Sequence, residues 1–429
     1  MKPTDALPHP ADWNTTTVGA AVDVKRGISW SKEQEHTAPR EGALPVIRIG
    51  NVQSTLELDD VLYVSNLNAR AVEKKRVAAG WSVMVGSNGN RQRIGNAVLV
   101  ADDTDFLFAS FLIAAKPKSD SGIEPRYFSR WLRSEQVQAY LTASAEGSTG
   151  LCNLSHGFFQ SMAIPYPDRD EQTAISRVLD AVDAAVTNAA RASSQANAFD
   201  HSLLHDVLQF GVGASRAAKR PAHWQRKRVD EVADVGSGVT LGKDLSGFKH
   251  IELPYLRVAN VQDGHLNLNT IKTVKVRISE VERYRLEPGD VLMTEGGDLD
   301  KLGRGAMWDG QIPDCLHQNH IFRVRADRTQ LDPRFFACIV ESDIAKRYFT
   351  RVAKRTTNLA STNKTQVRAF RFPLPPLDEQ RQIVEVVHAS KAKIRALEQK
   401  QAALRQLKQS LMHDLLTGQV RINPALFAA

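Results

Sequence analysis

Leu44–Gln53 reads L-P-V-I-R-I-G-N-V-Q, and Leu253–Gln262 reads L-P-Y-L-R-V-A-N-V-Q: six identities in ten positions at an offset of 209. The four substitutions keep an apolar or small residue in place, so the match is one of pattern as well as identity. A repeat of this period means that whole domains are written twice, and missing it would mis-assign the fold. Working outward, P-R-Y-F at Pro125 answers to P-R-F-F at Pro333, and D-E-Q at Asp170 to D-E-Q at Asp378, both offset by 208. His205-Asp206 and His413-Asp414 keep that offset. Near the start of each half, Trp13 and Trp224 precede V-D-V-K-R-G and V-A-D-V-G-S-G, each predicting a short strand that enters a glycine turn. The repeat spans nearly the whole chain.

Each half opens with about 150 residues of short β-type runs and Gly/Pro/Asn turns, then changes to a long helical segment. Strands are predicted at Val46–Ile49, Ser82–Val85, Ala97–Val100 and Phe108–Ala114, and at Tyr255–Val258, Val291–Thr294 and Ile321–Val324. Arg126–Tyr140 and Arg334–Phe349 are predicted as helices. The prolines at Pro165 and Pro373 close each α+β domain.

Beyond those prolines runs a heptad pattern. Its ladder is Ile175, Leu179, Val182, Val186, Ala189, Ser193, Ala196, Asp200 and Leu203 in the first copy. In the second it is Ile383, Val387, Ser390, Ile394, Leu397, Gln401, Leu404, Lys408 and Leu411, the same positions shifted by 208. Alternating spacings of four and three predict a coiled coil. Glu171–Asp206 holds two basic and five acidic residues, and Glu379–Asp414 seven and four. Oppositely charged helices of equal length are expected to pair with each other, antiparallel as a two-fold-like repeat favours, in a rod of roughly 54 Å. Ser193, Asp200, Gln401 and Lys408 would fix its register at some cost in stability. The expected domains are 1–167, a first α+β domain; 168–212, the first helix; 213–222, a linker; 223–374, the second α+β domain; and 375–429, the second helix with a tail.

Composition fits this picture. The chain has 429 residues, 42% of them hydrophobic and 24% charged, which is globular and neither disordered nor collagen-like. No apolar run approaches the ~18 residues of a membrane span, and M-K-P-T-D-A-L-P-H-P lacks the apolar core of a signal peptide, so a cytoplasmic location without membrane partners is expected. Cys152, Cys315 and Cys338 are too few and too scattered for a disulfide framework or a metal site, and buried thiols are the expectation. The net charge of +8 is uneven: residues 1–210 carry 20 basic and 24 acidic side chains, residues 211–429 carry 36 and 24. A polyanion partner is compatible with the excess, as is a soluble basic enzyme.

Catalytic motifs are near-misses. In G-S-G-V-T-L-G-K-D from Gly236 the glycines are six apart instead of five, and Asp244 stands where Ser or Thr would hold magnesium in a phosphate loop. Asp332-Pro333-Arg334-Phe335 lacks the second proline of an amino-methyltransferase site. The His-Asp pairs fall late in the helices, where capping or docking is the expected role. No catalytic residue, metal ligand or cofactor is assigned to this chain.

Nucleic-acid contacts need Lys or Arg for phosphates and Arg, Lys, Asn, Gln, Ser or His for base edges, held on a rigid frame. S-N-G-N-R-Q-R-I-G from Ser87 gathers Asn88, Asn90, Arg91, Gln92 and Arg93 in one loop, and E-G-G-D-L-D-K-L-G-R from Glu295 sits at the corresponding place with Lys301 and Arg304. The surroundings are repeated while these loops differ, which marks them as candidate DNA readers. Lys25 and Arg26, Lys243, the cluster His317, Gln318, Asn319 and His320, and Lys354, Arg355 and Thr356 are further candidates. Arg48 with Asn51, and Arg257 with Asn260, recur in both halves and are expected to hold the frame.

The P-L-P-P-L-D-E-Q-R-Q-I-V segment from Pro373, the L-M-H-D-L-L-T-G-Q-V-R-I ending from Leu411, the two L-P-x-x-R-x-x-N-V-Q strands and G-D-V-L-M from Gly289 together resemble the DNA-specificity subunit of type I restriction-modification systems. The first copy departs from that pattern with Y-P-D-R-D-E-Q and with Leu208-Gln209-Phe210-Gly211 in place of the Leu-Thr-Gly ending. The resemblance implies two target-recognition domains reading a bipartite, asymmetric double-stranded DNA target. It implies no cofactor in this chain, two methyltransferase (M) subunits that bind S-adenosylmethionine and methylate adenine, and ATP-dependent restriction (R) subunits. Two other readings stay open on the residues alone: a coiled-coil scaffold without a DNA role, and a self-contained DNA-modifying enzyme with an unrecognised site.

Overall fold

The structure is a computed structural model that describes residues 8–147, 150–214, 219–297, 302–355 and 360–427. It resolves into two compact units, Met1–Ala189 with Lys400–Ala429, and Ala190–Gln399, so that each long helix contributes one part to each unit.

The first unit begins with β1 (Asn14–Thr17), α1 (Val18–Ala21), β2 (Val22–Arg26), β3 (Glu35–His36), β4 (Ala43–Ile47), β5 (Leu62–Ser65) and α2 (Ala69–Lys75). It continues with β6 (Ser82–Val85), β7 (Ser87–Asn88), β8 (Ala97–Leu99), β9 (Leu107–Phe108), β10 (Leu112–Pro117), α3 (Pro125–Leu132) and α4 (Glu135–Ala143). Then come β11 (Ala145–Glu146), β12 (Cys152–Leu154), α5 (His156–Ser161), β13 (Ala163–Tyr166) and the 42-residue α6 (Arg169–Phe210), which crosses into the second unit. The strands make four small sheets, ordered β2-β10-β6-β8, β3-β5-β4-β9, β11-β12-β7 and β1-β13.

The second unit repeats the plan with β14 (Gln225–Arg228), α7 (Val229–Val232), β15 (Ala233–Ser237), β16 (His250–Leu256), β17 (Lys272–Arg277), α8 (Val281–Tyr284), β18 (Val291–Thr294) and β19 (Gly296–Gly297). There follow β20 (Gly305–Met307), β21 (Leu316–His317), β22 (Ile321–Ala326), α9 (Pro333–Glu341), α10 (Asp343–Val352), β23 (Lys354–Arg355), β24 (Ala360–Ser361), α11 (Lys364–Ala369), β25 (Arg371–Leu374) and the 40-residue α12 (Leu377–Leu416). Its sheets, β15-β22-β18-β20, β17-β16-β21, β23-β24-β19 and β14-β25, follow those of the first unit, except that the edge strand β3 has no counterpart beside β17 among the described residues. The duplication read in the sequence is thus a duplication of topology.

Two sequence expectations change. The strand expected over Phe108–Ala114 is two strands in different sheets: β9 runs parallel to β4, and after a turn at Ala109, β10 pairs with β2 and β6. The turn lies where Gly27 brings the backbone close, since a Cβ on Gly27 would meet the Ala109 carbonyl at 2.1 Å; Gly238 makes the same approach to the His317 carbonyl at 1.9 Å. The helices expected over Arg126–Tyr140 and Arg334–Phe349 are each broken in two, because Ser134 and Ser342 take extended backbone angles and their hydroxyls accept hydrogen bonds from the next helix's first turn.

The long helices carry the predicted stripe. Every ladder residue is buried or half-buried, and over residues 400–410 the ladder positions Gln401, Leu404 and Lys408 are the non-exposed ones. In the first unit Ile175 and Leu179 of α6 share a core with Leu411, Met412, Leu415 and Leu416 of α12, and Lys408 Nζ lies 2.6 Å from Asp183. In the second unit the far end of α6, Leu204 to Leu208, shares a core with Ile383, Val384 and Val387 at the beginning of α12. Each end of one helix meets the opposite end of the other, so the pair is antiparallel.

Each helix is also fastened to its own domain by a repeated glutamine. Gln172 Oε1 accepts from Glu124 N at 2.8 Å while its Nε2 donates to the Gly122 and Pro167 carbonyls; Gln380 does the same with Asp332 N, Gln330 and Pro375. The neighbouring glutamate differs. Glu171 takes a two-pronged bond from Arg421 of the tail, whereas Glu379 accepts from His223 and from Trp224 Nε1. The residue at Arg421's place after α6 is Gly213, so the second copy of this clamp is built from other side chains.

Candidate nucleic-acid interface

The frame of each recognition domain is an asparagine. Asn51 is buried; its Oδ1 accepts from Arg48 N at 2.7 Å and its Nδ2 donates to the Glu57 and Asp60 carbonyls. Asn260 repeats this with Arg257 N at 2.8 Å and the carbonyls of Asn267 and Thr270. Gln53 and Gln262 each donate back to the carbonyl three residues earlier, at 2.8 Å in both. These polar side chains convert the end of β4 and of β16 into an identical short turn, the framing role expected from the repeat.

The loop after β7 is held from three sides. Asn88 and Asn90 use their Oδ1 atoms to accept backbone N–H groups of Asn90 and Gln92, shaping a single turn over Arg91–Arg93. Arg91 donates to the Thr142 and Ala143 carbonyls at the C-terminal end of α4, and Arg93 to the Ile49 and Val52 carbonyls at the framing turn. Both arginines position the loop, while Asn90 and Gln92 are exposed on it. Lys25 is half-buried over the Trp81 ring at 3.8 Å and donates to the Arg76 carbonyl. Burial, with Lys75 and Lys116 nearby, brings its ammonium down to about 8, so it is a poor phosphate contact. Arg26 is exposed.

In the second domain Lys301 and Thr356 lie outside the described residues. Arg304 reaches the framing Gln262 at 3.4 Å, as Arg93 reaches the first framing turn. The H-Q-N-H cluster divides. His317 is fully buried, with Nδ1 3.1 Å from the Tyr284 carbonyl, and burial brings it down to about 4, so it is an internal residue and not a base reader. Gln318 and Asn319 are half-buried, and His320 is exposed beside Glu295. Lys243 pairs with Glu280 at 3.5 Å. Lys354 and Arg355 form the exposed strand β23, joined through β24 to β19, the start of the variable loop.

Two features were not picked out from the residues. One is the row of cations along β17, K-T-V-K-V-R, whose alternation is a strand signal in itself. The other is a pair of exposed apolar side chains, Phe199 at 62% and Leu407 at 48% exposure, at equivalent places on α6 and α12. Both stand one position before a ladder residue, where coiled coils normally carry charge. Among the described residues no group of His, Cys, Asp and Glu could hold a metal ion, and no helix is long and apolar enough to cross a membrane. Burial pushes the Cys315 and Cys338 thiols up to about 12, which leaves them inert as nucleophiles.

Known proteins place these observations. The sequence family described as the type I restriction modification DNA specificity domain matches twice, at residues 10–195 and 221–406. The chain is similar to the type I restriction enzyme StySPI specificity subunit of Salmonella potsdam, 24% identical over 88% of this chain and 82% of that one. It is likewise similar to the EcoKI specificity subunit of Escherichia coli, 23% identical over the same shares. In fold it resembles the HsdS subunit from Thermoanaerobacter tengcongensis, with a TM-score of 0.51 at 18% identity over 96% of this chain and 98% of that one. It also resembles a chain from a structural study of complex assembly in a type I R-M system, with a TM-score of 0.61 at 17% identity over 96% and 99%.

Proposed function

The chain belongs to the type I restriction-modification DNA specificity family, and on that premise we propose that it is the non-catalytic subunit that selects the DNA sequence for a methyltransferase and endonuclease complex. The observation that carries this is the pairing of one frame with two different loops. The same buried asparagine turn recurs in both domains, while the segments whose Arg93 and Arg304 reach it differ in sequence, S-N-G-N-R-Q-R-I-G in one and E-G-G-D-L-D-K-L-G-R in the other. Identical frames that present different polar groups read different base edges. The target is therefore a double-stranded sequence in two unlike parts. Residues 1–167 and 223–374 act as the two readers, and the helices of 168–212 and 375–429 set the unread gap.

The readers in this proposal are Asn90 and Gln92 in the first domain, with Asn88, Arg91 and Arg93 positioning them. In the second they are His320, Lys354 and Arg355 with Gln318, Asn319 and Arg304, and Arg26 supplies phosphate contact in the first. S-adenosylmethionine and the methyl transfer to adenine belong to two methyltransferase subunits, ATP to the restriction subunits, and the assembly works in the cytoplasm. Phe199 and Leu407 support docking of two copies of one partner. They are equivalent under the repeat, and their neighbours one helical turn away, Gln195, Ala196, Ser202 and Leu203, and Ala403, Leu404, Ser410 and Leu411, are all uncharged.

The test is a map of methylated adenines in host DNA when this chain is co-expressed with its methyltransferase partner, beside a control without it. A gapped two-part motif that depends on this chain is expected. The absence of any motif from an assembled, soluble complex would overturn the reading in favour of a scaffold.

A further inference from the structure

The second recognition domain holds a basic surface that its counterpart lacks. Strands β16 and β17 form an antiparallel ribbon, with His250 opposite Arg277, Glu252 opposite Lys275 and Pro254 opposite Thr273. Side chains alternate across a strand, so these residues share one face. The other face, with Leu253, Tyr255, Val274 and Val276, packs into a core with Val239 and Leu316. The polar face is therefore the outer one.

The acids on and around that face are engaged locally. Glu252 accepts from the Thr273 hydroxyl, Asp244 from Ser246 N at 2.8 Å and Ser246 Oγ at 2.7 Å, and Glu280 pairs with Lys243. The cations are less engaged: among the described residues no ion pair joins Lys249, Lys275 or Arg277 to a carboxylate, and Arg277 acts on Asp244 only at longer range, as the smallest of the influences on that carboxyl. Arg277 is held by stacking, its guanidinium 3.3 Å from the centroid of the Phe248 ring, and Phe248 is itself 49% exposed. Its Nε is buried, and an arginine fixed by an aromatic face leaves the N–H groups at the end of the guanidinium for an anion outside the protein. Lys275 is exposed on the same face, and Lys249, exposed in the chain entering β16, lines one groove with it.

In the first domain Ala43 stands opposite Ser65 and Leu44 opposite Val64, which sets Ser65 at the place of Lys275 and Leu67 at that of Arg277, while Arg40 answers to Lys249 at the repeat offset. The groove beside that domain's framing turn, about 810 Å³, is lined by Glu35, Glu57, Asp59 and Asp60 with Arg48 the one basic residue. The difference matches the charges of the halves, −4 against +12.

We propose that the β16–β17 ribbon of the second domain, through Lys249, Lys275 and the Phe248-stacked Arg277, is a DNA phosphate-binding surface with no equivalent in the first domain, so that the second half-site supplies most of the salt-dependent affinity. This rests on the DNA-binding reading above. The ribbon suits the duplex backbone because Lys275 and Arg277 follow one another on one face of β17, Lys249 enters β16 beside them, and the ribbon lies in the same sheet as β21, whose exit carries Gln318, Asn319 and His320. Contacts to phosphate add affinity without choosing sequence.

The experiment measures dissociation constants of the intact complex, this chain with its methyltransferase partners, for a duplex containing the mapped target and for an unrelated duplex between 50 and 200 mM potassium chloride. The variants are Lys249→Gln with Lys275→Gln, Arg277→Gln, and Arg40→Gln as the first-domain counterpart. Each phosphate contact removed lowers the slope of log K against log salt by about one. The double variant is expected to lose about two and Arg277→Gln about one, with target and unrelated DNA weakened alike, the methylated motif unchanged and Arg40→Gln without effect. Lys249 and Lys275 are exposed, so a melting temperature at the wild-type value confirms that the double variant is folded. An unchanged slope in both ribbon variants, or an equal loss in Arg40→Gln, overturns the proposal; a changed motif at constant slope also does, by making the ribbon a base reader. A wild-type complex that binds DNA without sequence preference, yet loses slope in the ribbon variants, would instead overturn the specificity reading and leave the ribbon standing.

Discussion

Asn51 and Asn260 each satisfy one backbone donor and two backbone acceptors in a buried turn. Replacing either with alanine leaves those groups unpaired, at a cost of about 1–3 kcal/mol for each group so stranded and thus at least about 3 kcal/mol in total. Asn51→Ala is expected to lower the unfolding transition of the first unit and Asn260→Ala that of the second, which calorimetry resolves; a loss below about 0.5 kcal/mol would deny them the framing role. His317 offers a pH test. Burial holds it neutral in the fold, down to about 4, while the unfolded chain titrates it near 6.5. The unfolded state thus takes up a proton between those values that the folded state refuses. Stability falls as pH falls through that window, by about 3 kcal/mol. In His317→Leu the dependence of chemical-denaturation stability on pH between 6.5 and 4.5 should flatten; an unchanged slope would place the acid sensitivity elsewhere. At this scale the framing residues were legible because the same polar side chain is kept at the same place in two copies. The positioning role of Arg91 was not, because its carbonyl partners come from α4, 51 and 52 residues further on, and the burial of His317 depends on a sheet no local pattern reveals.

The long helices were the most legible elements, since a stripe that repeats every 3.5 residues over four heptads is a property of the chain alone. The shorter elements were read less well wherever a few residues change partner: the strand expected over Phe108–Ala114 switches sheets at Ala109, and the expected helices stop at Ser134 and Ser342. A serine that can cap a new helix is invisible to a pattern of apolar residues. What the heptads did not reveal is which outward positions matter. Under the proposed docking of one partner copy at each place, Phe199→Glu is expected to remove one methyltransferase subunit from the assembly and Leu407→Glu the other, taking the mass of the complex from two copies to one in native mass spectrometry. Retention of both copies in each variant would move the docking face elsewhere on the helices.

For the molecule as a whole, duplication explains the division of labour. One plan, four sheets and a helix fastened by Gln172 or Gln380, is built twice, and evolution of the loops and of surface charge is then free to differ between copies without disturbing either frame. The central claim, two unlike readers on one repeated frame, is tested most directly by mapping adenine methylation with the wild-type chain and with a variant carrying Arg91→Ala and Arg93→Ala. The account predicts a gapped two-part motif for the wild type and, for the variant, relaxation or change of one part with the other part intact. A motif that changes in both parts, or is unaffected, would contradict it.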